Sequence, residues 1–312
     1  MVVQTNSGAR QAAVRAITGT TYDYNGDWMA LFDLYDIPRY DFNGRFLRWL
    51  QITTGSDSTD INDLKQIYAE LLGFYNWNSI NTLAPSLPNL TAWYDFSNAA
   101  YLTLSATAIT QALDRSGNGN NTAVQGTGTA RPTFTAAQLN GLPCAVFDGG
   151  DILMMPSALY ALPNGANTAF IVAKRDTEAA VSQVLISIGI ANPANYNLFM
   201  PGTAGRIEFR SNAAAAGNVI STGNTNTNYQ LIQTRRSGTT QALAVNGGTA
   251  QTNTNGTDYA SSSAASIGAT IGGTGFLTGG YAEILIYNRS LEAAEIAAVN
   301  RYLASKWGIT LV

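Results

Sequence analysis

The chain has 312 residues and a net charge of −3, with charged residues at only 12% against 46% hydrophobic. That length allows one large or two ordinary domains and a sizeable core. The balance excludes a nucleic-acid binder, which needs a basic stripe with interleaved aromatics, because Lys174-Arg175 and Arg235-Arg236 are the only cationic doublets. The apolar runs are strand-sized, which excludes membrane insertion by a spanning helix. The sequence holds no histidine and one cysteine, Cys144. Those counts rule out a Ser-His-Asp or Cys-His site, an internal disulfide, and the usual zinc ligand set. Met1-Val2-Val3-Gln4 lacks a charged region leading into an apolar core, so no secretory signal peptide is expected.

The first eighty or so residues carry helical spacing. Trp28, Leu31, Phe32 and Tyr35 repeat at i, i+3, i+4, i+7, and Pro38 closes that segment. Asn43 can cap a second helix carrying Phe46, Leu47, Trp49 and Leu50. Asp60 can cap a third, with Ile61, Leu64, Tyr68, Leu71 and Leu72 before Gly73. A small helical domain is predicted over residues 1–84, followed by a proline-containing linker over 85–89 built on Pro85 and Pro88.

From Leu90 onward the period changes. Short β-branched runs bounded by turn residues read as strands. They include Leu90–Asp95, Pro143–Asp148, Ala169–Lys174, Val184–Ile188, Asn197–Met200, Arg206–Arg210, Tyr229–Thr234, Gln241–Val245 and Tyr281–Tyr287. Asn246-Gly247 marks a hairpin, since both residues tolerate the positive φ of a primed turn. About ten such strands predict a sandwich or jelly roll over residues 90–312. A closing helix is expected from Ser290 as N-cap, with Leu291, Ile296, Val299, Leu303 and Trp307 on its buried stripe and Gly308 as its stop.

Several motifs then fall in a familiar order. These are Leu90-Thr91-Ala92-Trp93-Tyr94-Asp95, Asp114-Arg115-Ser116-Gly117-Asn118-Gly119-Asn120-Asn121, Arg131-Pro132-Thr133-Phe134, Leu139-Asn140-Gly141-Leu142-Pro143 and Val146-Phe147-Asp148-Gly149. Ala282-Glu283-Ile284-Leu285-Ile286-Tyr287-Asn288-Arg289 and Tyr302-Leu303-Ala304-Ser305-Lys306-Trp307-Gly308 complete the set. Over roughly residues 88–312 the chain resembles the laminin-G-like, concanavalin A-like lectin domains of bacterial and phage surface proteins. The resemblance implies a mainly β, antiparallel β-sandwich jelly roll, preceded here by the small N-terminal α-helical domain and closed by the C-terminal helix. The N-terminal stretches Tyr24–Trp28 and Tyr75–Asn78 are similar to bacteriophage structural proteins.

Glycosidases of this fold carry acids that alternate along one strand, because hydrolysis needs a pair of carboxylates. Glu283 stands alone in its strand, so the chain is not expected to be an enzyme. No cofactor is required by any motif. Calcium is the metal its oxygen groups would suit, with Asp148 and Asp151 as ligands and Asp114 as a further carboxylate, and turn stabilisation explains all three without an ion. Tyr196, Tyr229 and Tyr259 lie in or near loops and are candidates for a glycan platform, although packing is the favoured account of each.

The expected function is that of a bacteriophage virion structural protein displayed on the particle surface, in the capsid or tail. Residues 1–84 would dock to other virion proteins, the chain would be a homo-oligomer or lattice component, and host lysis would release it. The alternative is a carbohydrate-binding, lectin-like module that recognises host-surface glycans.

Overall fold

The computed structural model describes residues 87–159, 166–177, 182–188, 196–200, 206–210, 219–220, 227–254 and 264–312. The chain divides into two units, Met1–Leu83 and Ala84–Val312. The predicted helical domain over 1–84 lies outside the described residues.

Strand β1 (Leu90–Asp95) is followed by the hairpin of β2 (Leu102–Ser105) and β3 (Ala108–Ala112), then β4 (Thr133–Leu139), β5 (Leu142–Asp148) and the short β6 (Leu153–Met154). The middle of the chain supplies β7 (Ala166–Arg175), β8 (Gln183–Ile188), β9 (Tyr196–Met200), β10 (Glu208–Arg210) and β11 (Val219–Ile220). Strands β12 (Gln230–Ser237), β13 (Thr240–Val245), β14 (Gln251–Thr254), β15 (Ala265–Ile267) and β16 (Thr278–Tyr287) precede one helix, α1 (Ala293–Trp307).

These strands form a ten-stranded sheet, ordered β14-β13-β12-β7-β16-β5-β4-β3-β2 with β1 also on β16, and a six-stranded sheet, ordered β11-β10-β9-β8-β15-β6. Every pairing is antiparallel. Strand β16 organises the larger sheet. One edge pairs with β7 along its length, whereas the other pairs first with β5 through Thr278–Tyr281 and then with β1 through Glu283–Tyr287. A register shift between Tyr281 and Glu283 falls where the partner changes.

Period-two alternation sorts the side chains of the large sheet onto two faces. The inner face carries Tyr94, Phe96, Phe147, Ile171, Ile232, Leu243, Tyr281 and Ile284, which pack with Leu185, Ile186 and Phe209 of the smaller sheet. Tyr281 spans the gap by donating its hydroxyl to the Leu185 carbonyl at 2.7 Å. The outer face carries Trp93, Cys144, Phe170, Leu231, Leu285 and Tyr287, and α1 covers it with Val299, Tyr302, Leu303 and Trp307. The central strands of the ten-stranded sheet are therefore buried on both sides, which explains why β16 reads as a continuous apolar run instead of an alternating one.

The two Asn-Gly turns form as their chemistry requires. Asn246 and Gly247 have φ of 51° and 71° between β13 and β14, and Asn140 and Gly141 have φ of 48° and 74° between β4 and β5. The described residues hold sixteen strands, more than the ten or so read from sequence. Strands β2, β3, β4 and β14 were missed because they are rich in Ala, Thr, Gln and Asn and lie toward the edges of the large sheet, where exposure removes the apolar signal. The closing helix also begins later than expected. Glu292 is its N-cap in place of Ser290, and the Glu295 carboxylate accepts the Glu292 amide at 2.9 Å. Leu291 is buried just ahead of the helix, and Gly308 ends it with φ of 66°. Among the described residues no helix is long and apolar enough to cross a membrane.

Candidate functional site

Glu283 and Asp95 sit opposite each other on β16 and β1, both on the outer face beneath α1. Glu283 is fully buried, and its two oxygens take four donors. Oε1 accepts Trp93 Nε1 at 2.6 Å and the Tyr302 hydroxyl at 2.8 Å. Oε2 accepts Trp307 Nε1 at 2.7 Å and Lys306 Nζ at 2.8 Å. Lys306 Nζ also reaches Asp95 Oδ2 at 2.7 Å, and Arg115 pairs with the same oxygen. The Arg115 guanidinium lies between two rings, 3.9 Å from the centroids of both Trp93 and Tyr101. Burial, then the Asp95 carboxylate, push the Glu283 carboxyl up from its ordinary value, while Lys306 and Trp307 pull it back down. Two carboxylates and two cations balance, so the cluster behaves as a closed ionic lock between sheet and helix.

The neighbouring turn is built in the same way. Asp114 Oδ1 accepts the amides of Trp93 and Ser116, each at 2.9 Å. Its Oδ2 accepts the Ser116 hydroxyl at 2.7 Å and the Asn120 amide at 2.9 Å. Asn118 and Asn120 in turn donate their side-chain amides to the carbonyls of Leu90 and Thr91, at 2.7 and 2.8 Å. The Asp114 carboxylate is thus committed to ordering the loop against β1.

Asp148 and Asp151 do come together, as partners in one turn. Asp151 Oδ2 accepts the Asp148 amide and Asp148 Oδ1 accepts the Gly150 amide, both at 2.9 Å. Among the described residues no third carboxylate, cysteine or histidine joins them into a metal-sized group. Asp151 is buried and Asp148 exposed. Burial pushes the Asp151 carboxyl up to about 6, with the Asp148 amide lowering it and the Asp148 charge raising it. A folded value above the unfolded value, about 3.9, means that the folded state holds more protons between those two values. Stability from this group is therefore complete below about pH 4 and is lost as pH rises through about 6. Asp151→Asn keeps an acceptor for the Asp148 amide and removes the charge. Relative to the parent, the variant should gain about 2–3 kcal/mol between pH 4 and pH 7. Urea unfolding of both proteins at the two pH values checks this, and an unchanged difference would refute it.

Of the three tyrosines considered for a glycan platform, Tyr229 is the one whose side chain falls among the described residues. Tyr229, just ahead of β12, is half-buried in the helix-side core, with Lys174 Nζ 5.4 Å from its ring centroid. Its hydroxyl lies beside the Cys144 thiol, which burial pushes up to about 11. Tyr229 thus packs partly into the core, and Cys144 is a buried small hydrophobe. Tyr196 opens β9, its backbone paired with Ile188, and its side chain lies outside the described residues. Tyr259 lies wholly outside them.

Sequence reading missed a row of polar residues on the inner face of the large sheet. Asn167 of β7 pairs with Arg236 of β12, and Arg236 pairs with Gln241 of β13. All three are almost fully buried, at 1%, 1% and 0% exposure. Along the same faces the next residues are Ala169 on β7, the buried Thr234 on β12 and Leu243 on β13, with Ile171 and Ile232 beyond them. Arg236 Nε donates to the Gly238 carbonyl at 3.1 Å, and the hairpin residues 237–240 above the row are exposed. Neither polar atom of the Asn167 side chain has a hydrogen-bond partner. The only sequence signal was the placement of Asn, Arg and Gln at positions where inner-face alternation calls for apolar residues.

The architecture defines a class. A family model for the concanavalin A-like lectin/glucanases superfamily matches residues 147–297, and the antiparallel sandwich has the concanavalin A-like fold. The binding domain of botulinum neurotoxin serotype D shares that fold, with a TM-score of 0.50, 12% identity, and coverage of 74% of this chain and 56% of its own. The binding domain of botulinum neurotoxin DC gives a TM-score of 0.49 at 10% identity, over 72% and 52% of the two chains. Domain 4 of AbnA, an extracellular arabinanase from Geobacillus stearothermophilus solved with arabinotriose, gives 0.48 at 15% identity, over 68% and 98%. The chain spans about half the length of the two neurotoxin binding domains. No curated protein matches it by sequence.

Proposed function

We propose that residues 90–312 form a carbohydrate-binding, lectin-like module that holds glycans without cleaving them. The superfamily description covers both lectins and glucanases, and the observation that favours binding is the commitment of the Asp95–Glu283 pair. Hydrolysis needs two carboxylates flanking a substrate cleft. Here both are buried under α1, and their oxygens are taken up by Lys306, Arg115, Tyr302 and two indoles. The full chain should therefore retain glycans on an array and release no reducing sugar from those it retains. An array without hits sinks the binding reading, and release of sugar by pure protein sinks the non-hydrolytic one. The resemblance of residues 24–28 and 75–78 to phage structural proteins supports a virion surface as the setting, with residues 1–84 as the attachment segment. Mass spectrometry of purified particles tests that setting separately.

A further inference from the structure

We propose that Lys306 Nζ and the Asp95 carboxyl group condense into an isopeptide bond that fastens α1 covalently to β1, with Glu283 relaying the protons. The ionic lock is the state from which that bond forms, and the inference stands apart from the carbohydrate-binding reading. The reacting groups are already in contact. Lys306 Nζ lies 2.7 Å from Asp95 Oδ2 and 2.8 Å from Glu283 Oε2, and the two acids face each other across β1 and β16. Both carboxylates are almost fully buried. Aromatic rings wall the site, with Nζ 4.9 Å from the Trp307 ring centroid and 5.8 Å from that of Tyr302. Holding an amine against a carboxyl group removes the entropic part of the barrier to their reaction. Buried ions also give up hydration that a neutral amide does not need, so condensation relieves the burial of charge.

The surrounding groups suit each stage of the reaction. Asp95 Oδ1 accepts the Ser97 amide at 3.0 Å and the Ser97 hydroxyl at 2.6 Å. Those two donors face the oxygen that becomes negative when the carboxyl carbon turns tetrahedral. Burial and the Asp95 charge push the Glu283 carboxyl up from its ordinary value, which fits it to take a proton and pass it on. The step balances without a co-reactant. Nζ gives a proton to Glu283 and attacks Asp95 Cγ, so that a C–N bond forms. The Cγ–Oδ2 bond then breaks, and Oδ2 leaves as water with two protons of the original ammonium group. The third stays on the new amide, and Glu283 ends as it began.

The test is mass spectrometry of the denatured full chain and of its tryptic digest. The parent should be lighter than its sequence mass by one water. Trypsin cuts after a free lysine, so the digest should hold residues 302–312 uncut at Lys306 and joined to residues 66–115, which carry Asp95. Lys306→Arg keeps the cation but offers no nucleophilic amine, and its mass should equal that of its sequence. Glu283→Gln cannot take up and hand on the proton, and most of its chains should also keep the full mass. A parent of full mass with free 302–306 peptide overturns the proposal, as does a loss of water without the joined peptide. Joined peptide at the parent's level in Glu283→Gln overturns the relay assigned to Glu283. The parent's digest decides the bond by itself, whether or not either variant folds.

Discussion

Glu283→Ala is expected to lower the stability of the sandwich by about 3–5 kcal/mol, the usual result of breaking a buried, hydrogen-bonded ion pair from one side. For a domain of this size that is roughly a 10 °C fall in Tm. Removing the carboxylate leaves the indole N–H groups of Trp93 and Trp307 and the Tyr302 hydroxyl buried without their acceptor, and leaves Lys306 with Asp95 as its ion-pair partner. Glu283→Gln should cost less but still more than about 1 kcal/mol. One end of the amide becomes a donor, and it must face either the Trp93–Tyr302 pair or the Lys306–Trp307 pair, all of them donors. Urea unfolding read by tryptophan fluorescence measures both, since two indoles are in the cluster. A change under 1 kcal/mol for the alanine variant would show that the lock does not hold α1 to the sheet.

Gly279→Ala should be at least as damaging, with a loss of more than about 3 kcal/mol, at or beyond the top of the range for overpacking. A methyl group there would stand 2.1 Å from the Lys174 carbonyl oxygen and 2.9 Å from the Arg175 Cα. Both are backbone atoms of β7, and Gly279 is held between Arg175 on β7 and Phe147 on β5, so neither side can retreat without breaking the sheet. Gly280 gives an internal contrast. Its methyl would meet the Tyr229 hydroxyl at 2.2 Å, the far end of a side chain that can move. Gly280→Ala should therefore cost about 1–3 kcal/mol, and Tyr229→Leu in the same chain should recover much of it. Additive losses in that double-mutant cycle would mean that the ring and the glycine are not in contact.

The cluster around Glu283 also explains why the sequence was readable at all. The motifs that carried the resemblance are far apart in the chain, yet they meet physically. Trp93 and Asp95 come from β1, Arg115 from the turn ordered by Asp114, Glu283 from β16, and Tyr302, Lys306 and Trp307 from α1. The Asp-x-Ser-Gly-Asn turn was legible because each of its polar residues bonds backbone within a few residues or on β1. The lone Glu of β16 has no acid beside it in its own strand. Its acid partner, Asp95, stands on β1 nearly two hundred residues away, and spacing along a chain carries no information about such a pair.

What the sequence determined alone was the local material: short strands, two Asn-Gly turns, a helix closed by Gly308, and an antiparallel sandwich as the arrangement able to bury them. These are matters of φ preference and side-chain period, set within a few residues of each position. The tertiary structure decided the rest. It placed Tyr229 against Gly280 and Cys144, turned Asp148 and Asp151 into a self-bonded turn, and set Asn167, Arg236 and Gln241 side by side on one buried rung. The placement of Tyr229 against Gly280 and of Asn167 beside Arg236 depends on register between strands distant in sequence, whereas the Asp148–Asp151 turn is closed within four residues. Sheet register is fixed by the sum of core packing, and no residue specifies it alone.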